Sequence, residues 1–247
     1  MTIDAGSRFA VFSDVHGNLA ALRVFLEEMD REGVENLICL GDVVGYGPFP
    51  NECCEMIRRR GIPTVLGNHD AVCIDEHERQ YFNDNARLAI DWTSAVLSED
   101  NLAWLRSLPL MIEEGDLCFV HASPRNPREW EYVLSQGEAL RNFQAFASRV
   151  GFIGHSHQPV LIELWRGRVE CPELGPRELL DDRRYMVNVG SVGQPRDHDP
   201  RLCYVEVDAR LGRVAFRRLE YPVRETQEAI RKTDLPVQLA ERLEHGW

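Results

Sequence analysis

The chain has 247 residues, is 44% apolar and 28% charged, and carries a formal net charge of −12. That profile belongs to an ordinary globular protein, long enough to bury a core without staples. The acidic balance excludes broad coating of nucleic-acid backbone, where phosphate dominates affinity, so an anionic substrate would need local positive charge.

The elements follow in chain order. Residues 8–13 (RFAVFS) read as a strand running into Asp14-Val15-His16-Gly17-Asn18. Asn18 caps a helix in which Leu19, Leu22, Phe25, Leu26 and Met29 recur at helical spacing, and Gly33 stops it. Residues 37–40 form a second strand ending at Gly41-Asp42, residues 51–60 a second helix, and residues 63–66 a third strand ending in Gly67-Asn68-His69-Asp70. This β-α-β-α-β order implies a parallel sheet covered by helices. Helices at 86–97 and 100–107 precede a strand at 117–120 that ends at His121. A helix at 136–147 precedes a strand at 150–153 that runs into Gly154-His155-Ser156-His157.

The last third is β-rich: 160–165, 168–170, 185–189, 202–208 and 214–219, the final pair joined by a loop with Gly212. Two short helices at 225–232 and 236–245 end the chain, and their Ile230, Leu235, Leu239 and Leu243 are expected to pack on the chain's own sheet. No composition break separates a second domain, so the chain reads as a single domain over 1–247, with a core at about 8–220 and a helical tail at 225–245.

No apolar run approaches the ~20 residues that span a bilayer, and the start (MTIDAGSRF) lacks a basic region followed by an apolar stretch. The seven cysteines (Cys39, Cys53, Cys54, Cys73, Cys118, Cys171 and Cys203) are scattered without a C-x-x-C. They read as free thiols in a reducing compartment, and the expected location is the cytoplasm.

Polar donors stand just past each predicted strand: Asp14 and His16, Asp42, Asn68 and His69, His121, and His155 and His157. Ligands of open α/β sheets bind outside the carboxyl ends of strands. Asp14/His16 and His155/His157 are i, i+2 pairs, which share a face on extended chain. Glycines precede Asp42, Asn68 and His155, where backbone must turn sharply or approach an ion. Carboxylate, amide and imidazole without thiolate suit Mn²⁺, Fe²⁺, Co²⁺, Ni²⁺ or Zn²⁺. Seven donors exceed the needs of one such ion and suit two that share a carboxylate. Each motif by itself is as well explained by a capped helix, a turn or a core histidine; their joint placement at five strand ends points to metal.

These segments resemble the calcineurin-like metallophosphoesterase family: SDVHGN (13–18), GDVVGYGP (41–48), GNHD (67–70), VH (120–121) and GHSH (154–157), with NVGSVGQPRD (188–197) similar to a signature of its bacterial and archaeal phosphodiesterase-like branch. The resemblance implies an α/β fold in four layers, an αββα sandwich of two facing mixed sheets flanked by helices. It implies one ion on Asp14, His16 and His157, another on Asn68, His121 and His155, Asp42 bridging them, and His69 beside the leaving group. Two divalent ions, with Mn²⁺ the leading choice, would then support in-line attack of a bridging hydroxide on phosphorus.

His69 is the candidate general acid, with Asp70 placed to orient it. Arg196 and Arg125, and with them Arg128, are candidates for gripping phosphate, and Trp130 and Tyr132 for stacking on a base. Asn188 and Ser191 are candidates to fix the imidazoles. The protein-phosphatase branch reads G-D-x-V-D-R-G, whereas Gly45 and Tyr46 stand here in place of its second Asp and its Arg. The expected substrates are therefore small phosphodiesters or nucleotide polyphosphates. The alternatives are a phosphomonoesterase or phosphoprotein phosphatase and, behind both, an inactive binding module.

Overall fold

Side-chain alternation along the first strand sets the layers. In the computed structural model, which describes residues 8–75, 79, 82–210 and 212–247, β1 (Arg8–Phe12) pairs in parallel with β2 (Asn36–Cys39). A period of two sends Phe9 and Val11 to one face and Ala10 and Phe12 to the other. The expectation about the N-terminal start falls largely on residues 1–7, outside the described residues.

Two mixed sheets are present. The second is built from β3 (Met111–Glu114), β4 (Leu117–Val120), β5 (Val150–Ile153), β6 (Val160–Trp165), β7 (Arg168–Glu170) and β9 (Arg184–Asn188), in the order β3-β4-β5-β9-β6-β7. The first is completed by β8 (Arg177–Glu178), β10 (Leu202–Asp208) and β11 (Arg213–Leu219), in the order β2-β1-β10-β11-β8.

Phe9 and Val11 meet Phe119, Phe152, Tyr185 and Val187 between the sheets. The Phe9 ring stands edge-on to Phe119 and Phe152 at 6.5 and 6.3 Å, and those two stack at 5.2 Å. On the outer face of the first sheet, Ala10 and Phe12 pack under α1 (Leu19–Glu32) and α2 (Pro50–Arg59), through Leu22, Phe25, Met29, Cys53 and Ile57. On the outer face of the second, Cys118, Val120, Ile153 and Met186 pack under Ala139 and Phe143 of α6 (Gln136–Phe143). The four-layer α/β sandwich is thus observed.

Helix α1 starts where the Asn18 side chain accepts from the Ala21 N–H at 3.2 Å and ends at Gly33 in the left-handed region (φ 65°). Several expectations need correction. Residues 63–66 make only a single parallel bridge, Cys39 to Thr64; Pro63 has no N–H to donate, and Leu66 N–H turns away to Pro109 O at 2.8 Å. Asn68 and His69 therefore sit at the start of a helix, α3 (Asn68–Ile74). Strands β3 and β8 were not expected; one is charged and at an edge, the other two residues long.

The tail forms α7 (Val223–Ile230), α8 (Gln238–Glu241) and a 3₁₀ turn at Arg242–Glu244. Its Ile230, Leu235, Leu239 and Leu243 pack on Tyr46 and on Ala86 and Ala89 of α4 (Asp84–Val96), not on a sheet. Before the second sheet, α5 (Glu99–Arg106) buries Leu105 against the α1 and α2 layer.

Truncating the inter-sheet ring Phe152 to alanine is expected to cost about 3–5 kcal/mol. Leu88→Ala, at a residue 55% exposed, is expected to stay within about 0.5 kcal/mol. Urea denaturation of the two variants checks both.

Candidate metal centre

Both sheets deliver polar residues to one edge. Asp14 and His16 follow β1, Asp42 follows β2, His121 follows β4, and His155 and His157 follow β5, while Asn68 and His69 open α3. All eight are buried, none more than 8% exposed. The sequence-expected ligands come together in overlapping triads: the donor atoms of Asp14, His16 and His157 lie within 4.8 Å of one another, as do those of Asp42, His121 and His155. A further triad joins His16, Asp42 and His69. Asn68 Oδ1 is 3.0 Å from His121 Nε2.

The backbone is bent to reach this convergence. Asp14 (φ 55°), His16 (49°), Asp42 (50°), His155 (66°) and His157 (59°) are all in the left-handed region, which costs non-glycine residues on the order of 1–3 kcal/mol each when held there. Cross-loop bonds hold them: Asp14 N–H to Gly41 O at 3.0 Å, His16 N–H to Asp42 O at 2.9 Å, and His155 N–H to Asp14 Oδ2 at 3.1 Å. Two glycines make room for the carboxylates. A β-carbon on Gly67 would collide with the Asp42 carboxylate, and one on Gly154 would lie 2.7 Å from Asp14 Oδ2.

Backbone carbonyls set the tautomers. His16 Nδ1 meets Val44 O at 3.0 Å, His121 Nδ1 meets Leu40 O at 2.8 Å, and His157 Nδ1 meets Gln194 O at 2.5 Å. A carbonyl only accepts, so each Nδ1 carries the proton and each Nε2 turns its lone pair inward. His16 Nε2 and His157 Nε2 then face each other at 3.1 Å, an arrangement that a cation between them satisfies. Asp14 Oδ1 and His155 Nε2 are buried without a hydrogen-bond partner.

The residues present fit divalent metal on these grounds. Carbonyls fix His16, His121 and His157, whereas Asn188 and Ser191 bond elsewhere. Asn188 Nδ2 donates to Gly154 O at 2.7 Å and Ser191 Oγ to Asp14 O at 2.8 Å, so both brace the loops instead.

Charge follows the same logic. Burial works against ionisation of Asp14 and Asp42, yet the imidazoles of His157 and His121 beside them hold both carboxyls well below the usual range. Burial also disfavours charge on His121, but Asp42 and Asp14 lift it to about 9, the mark of an excess negative potential. Burial drives His16 well below its ordinary value, and burial with the nearby His121 takes His155 to about 3. His69 falls to about 4 chiefly through burial; Asp42 pulls the other way, and Arg196 and His157 add to the fall.

The residues expected beside the ligands divide. Asp70 does not orient His69: its carboxylate accepts from Val43 N and Val44 N at 2.9 and 3.1 Å and from Gly67 N at 3.1 Å. It ties the Asp42 loop to the start of α3, and burial and the neighbouring Asp42 raise it to about 7. A β-carbon on Gly45 would lie 2.5 Å from His69 Nδ1, a buried atom without a hydrogen-bond partner. Gly45, standing where the phosphatase-type motif has its second Asp, thus leaves room for that ring.

Above the ligands lies a cavity of about 530 Å³ with Asp42, Asn68, His155 and His157 at its base. Arg196 lines it, with its guanidinium over the Tyr46 ring at 5.6 Å. Arg125 does not line it; its backbone N–H is bound to Asn142 Oδ1 at 3.1 Å, and the wall there is Arg128, Trp130 and Tyr132. Tyr132 stacks on His155 at 4.1 Å. Sequence reasoning missed Tyr46 and Phe82 as lining residues. The Gly-Tyr-Gly setting of Tyr46 (φ 59°) was the available signal.

Inward lone pairs, buried carboxylates and a small cleft with an arginine at its side place the site in the metallophosphoesterase class. Comparison with known proteins agrees: the chain belongs to the calcineurin-like phosphoesterase superfamily, whose domain matches residues 8–210, and it is a metal-dependent phosphoester hydrolase. A metallophosphoesterase from Sphaerobacter thermophilus superposes with a TM-score of 0.86 at 40% identity, covering 98% of this chain and 100% of that one. An uncharacterised protein of Methanocaldococcus jannaschii is 39% identical over 241 residues, 96% of this chain and 97% of its own length. A symmetrical bis(5'-nucleosyl)-tetraphosphatase of Methylococcus capsulatus is 28% identical over 234 residues, 90% of this chain and 74% of its own length.

Gly67→Ala is expected to keep the fold but push Asp42 out of place, lowering phosphodiesterase activity by about 10²-fold, the usual cost of a misplacement near 1 Å. Circular dichroism and steady-state kinetics on the variant check this.

Proposed function

We propose that the chain hydrolyses small phosphodiesters or nucleotide polyphosphates with two divalent ions, manganese first among them. Asp14, His16 and His157 would hold one ion and Asn68, His121 and His155 the other, with Asp42 shared. The observation that carries this reading is the position of Asp42 Oδ2, 3.6 Å from His16 Nε2 and 3.4 Å from His121 Nε2, between one expected ligand of each ion. When bound, the ions supply Lewis-acid charge to the phosphoryl oxygens and lower the pKa of the attacking water.

The chain's own residues position the substrate. Arg196, which lines the cavity, would hold a non-bridging oxygen, and the aromatic walls would exclude water and offer faces for a base. A neutral His69 donates a hydrogen bond to the departing oxygen; with its pKa held near 4 it is a weak proton reservoir at neutral pH. That favours leaving groups stable as anions, such as phosphates, over alkoxides. The likeness to the Methylococcus capsulatus tetraphosphatase supports the same substrate class. All seven cysteines are free thiols, which supports a reducing compartment such as the cytoplasm. No helix among the described residues is long and apolar enough to cross a membrane.

Protein stripped with chelator is expected to be inactive and to regain turnover of bis-p-nitrophenyl phosphate with Mn²⁺. Activity on p-nitrophenyl phosphate alone would move the assignment to a monoesterase, and inactivity with every metal to a binding module. His69→Ala is expected to keep its metal, read by elemental analysis, and to lose about 10²-fold in kcat. Arg196→Ala is expected chiefly to raise KM, and unchanged kinetics on every phosphoester tried would remove it from the site.

A further inference from the structure

We propose that a second cleft, walled by the C-terminal tail, holds the unreacted half of the substrate, which is therefore a nucleotide polyphosphate with a base at its far end. The inference rests on the reading of the main cavity as the hydrolytic site and names what extends beyond it.

Tyr46 separates two cavities. One covers the metal ligands; the other, of about 500 Å³, is lined by Asn85, Gln238, Arg242 and Trp247. Tyr46 and Asn83 line both, so the two meet across the width of one ring. Arg196 lies against Tyr46 on the metal side, and Arg242 lines the far side. Arg196 Nε is buried without a hydrogen-bond partner while its Nη2 donates to Gln194 Oε1 at 2.9 Å, and Arg242 Nε donates to Trp247 O. Asp84, which also lines the far cleft, pairs with Arg87, and nearby Asp197 pairs with Arg218 and Asp199 with Arg201. Burial and the charge of Arg196 push Arg242 down to about 10, so the two guanidiniums repel each other across the tyrosine. Two guanidiniums on either side of one ring make a site for an anion. The first turn of α4, capped by Asn83, lines the same cleft through Asn83, Asp84 and Asn85.

Trp247 supplies the other half of the recognition. The residue is 51% exposed at the rim, its ring 6.0 Å from the Arg242 guanidinium and 6.4 Å from the near-parallel His245 ring, an aromatic surface on which a base can stack. The platform is fixed in place. His198 N–H donates to Gly246 O at 2.8 Å, Gly246 lies close against the Asp199 backbone, and Leu239 and Leu243 are buried beside Ala86 and Ala89. Arg196, Tyr46, Arg242 and Trp247 thus form a track leading away from the metal ligands, of a kind suited to a phosphate chain that ends in a base. A phosphomonoester or a short diester does not need it.

The test uses Mn²⁺-loaded protein with diadenosine tetraphosphate and with bis-p-nitrophenyl phosphate, in Arg242→Met and in Trp247→Ala. The latter changes a surface ring and guards against a folding defect in the former. The expected result is a rise of about tenfold in KM for the dinucleotide, with kcat/KM for the small diester within about twofold of wild type. Parallel losses on both substrates, or no change on either, overturn the proposal. A wild-type protein that cleaves the small diester but not the dinucleotide also overturns it, while leaving the hydrolase assignment intact. If wild type cleaves neither, the hydrolase assignment fails and calorimetric titration with ADP decides the subsite: binding weakened about tenfold in Arg242→Met supports it, and unchanged binding overturns it.

Discussion

Three backbone carbonyls, from Val44, Leu40 and Gln194, fix the outer nitrogens of His16, His121 and His157 as donors. Everything at the centre follows from that constraint. The inner nitrogens must then present lone pairs to two buried carboxylates and to one another. Such a cluster of acceptors is unstable without positive charge, because an uncompensated buried charge costs several kcal/mol. The lift of His121 to about 9 shows the same demand from the proton's side. Cation binding is therefore written into the hydrogen bonding around the ligands as much as into the ligands themselves.

The scaffold serves this convergence. Two sheets packed through Phe9, Phe119 and Phe152 present their strand ends to the same edge. Five left-handed residues turn the loops inward. Asp70 locks the Asp42 loop to α3 through three backbone N–H groups. The last elements of the chain reach the same place from another side. Thr226 Oγ1 donates to Asn18 Oδ1 at 2.7 Å, and Asn18 Nδ2 to Gly193 O at 2.8 Å, linking the tail to both loops that flank Asp14. Structure that supports the site therefore extends beyond residue 210, the end of the matched family domain.

What the sequence revealed was local. The i, i+2 pairs, the glycines beside Asp42, Asn68 and His155, and the alternation in β1, β4 and β5 depend on neighbours in the chain, and all eight polar residues expected at the centre converge there. What it concealed was tertiary. Asp70 adjoins His69 in sequence, but its partners Val43 and Val44 lie in a distant loop. Arg125 and Arg128 share one loop and look equivalent on paper; a turn with Asn126 (φ 110°) and Trp130 (φ 52°) brings only the second to the cavity. The tail's apolar stripe was legible as packing, while its partner, α4 with Tyr46, was not.

The central claim is that these side chains gather two cations. Titration of chelator-stripped protein with Mn²⁺, read by elemental analysis and by thermal unfolding, tests it most directly. The account predicts about two ions retained per chain and a melting temperature that climbs with free Mn²⁺, since a ligand that binds only the folded state stabilises it. No retained metal and an unmoved melting temperature in excess manganese would contradict it.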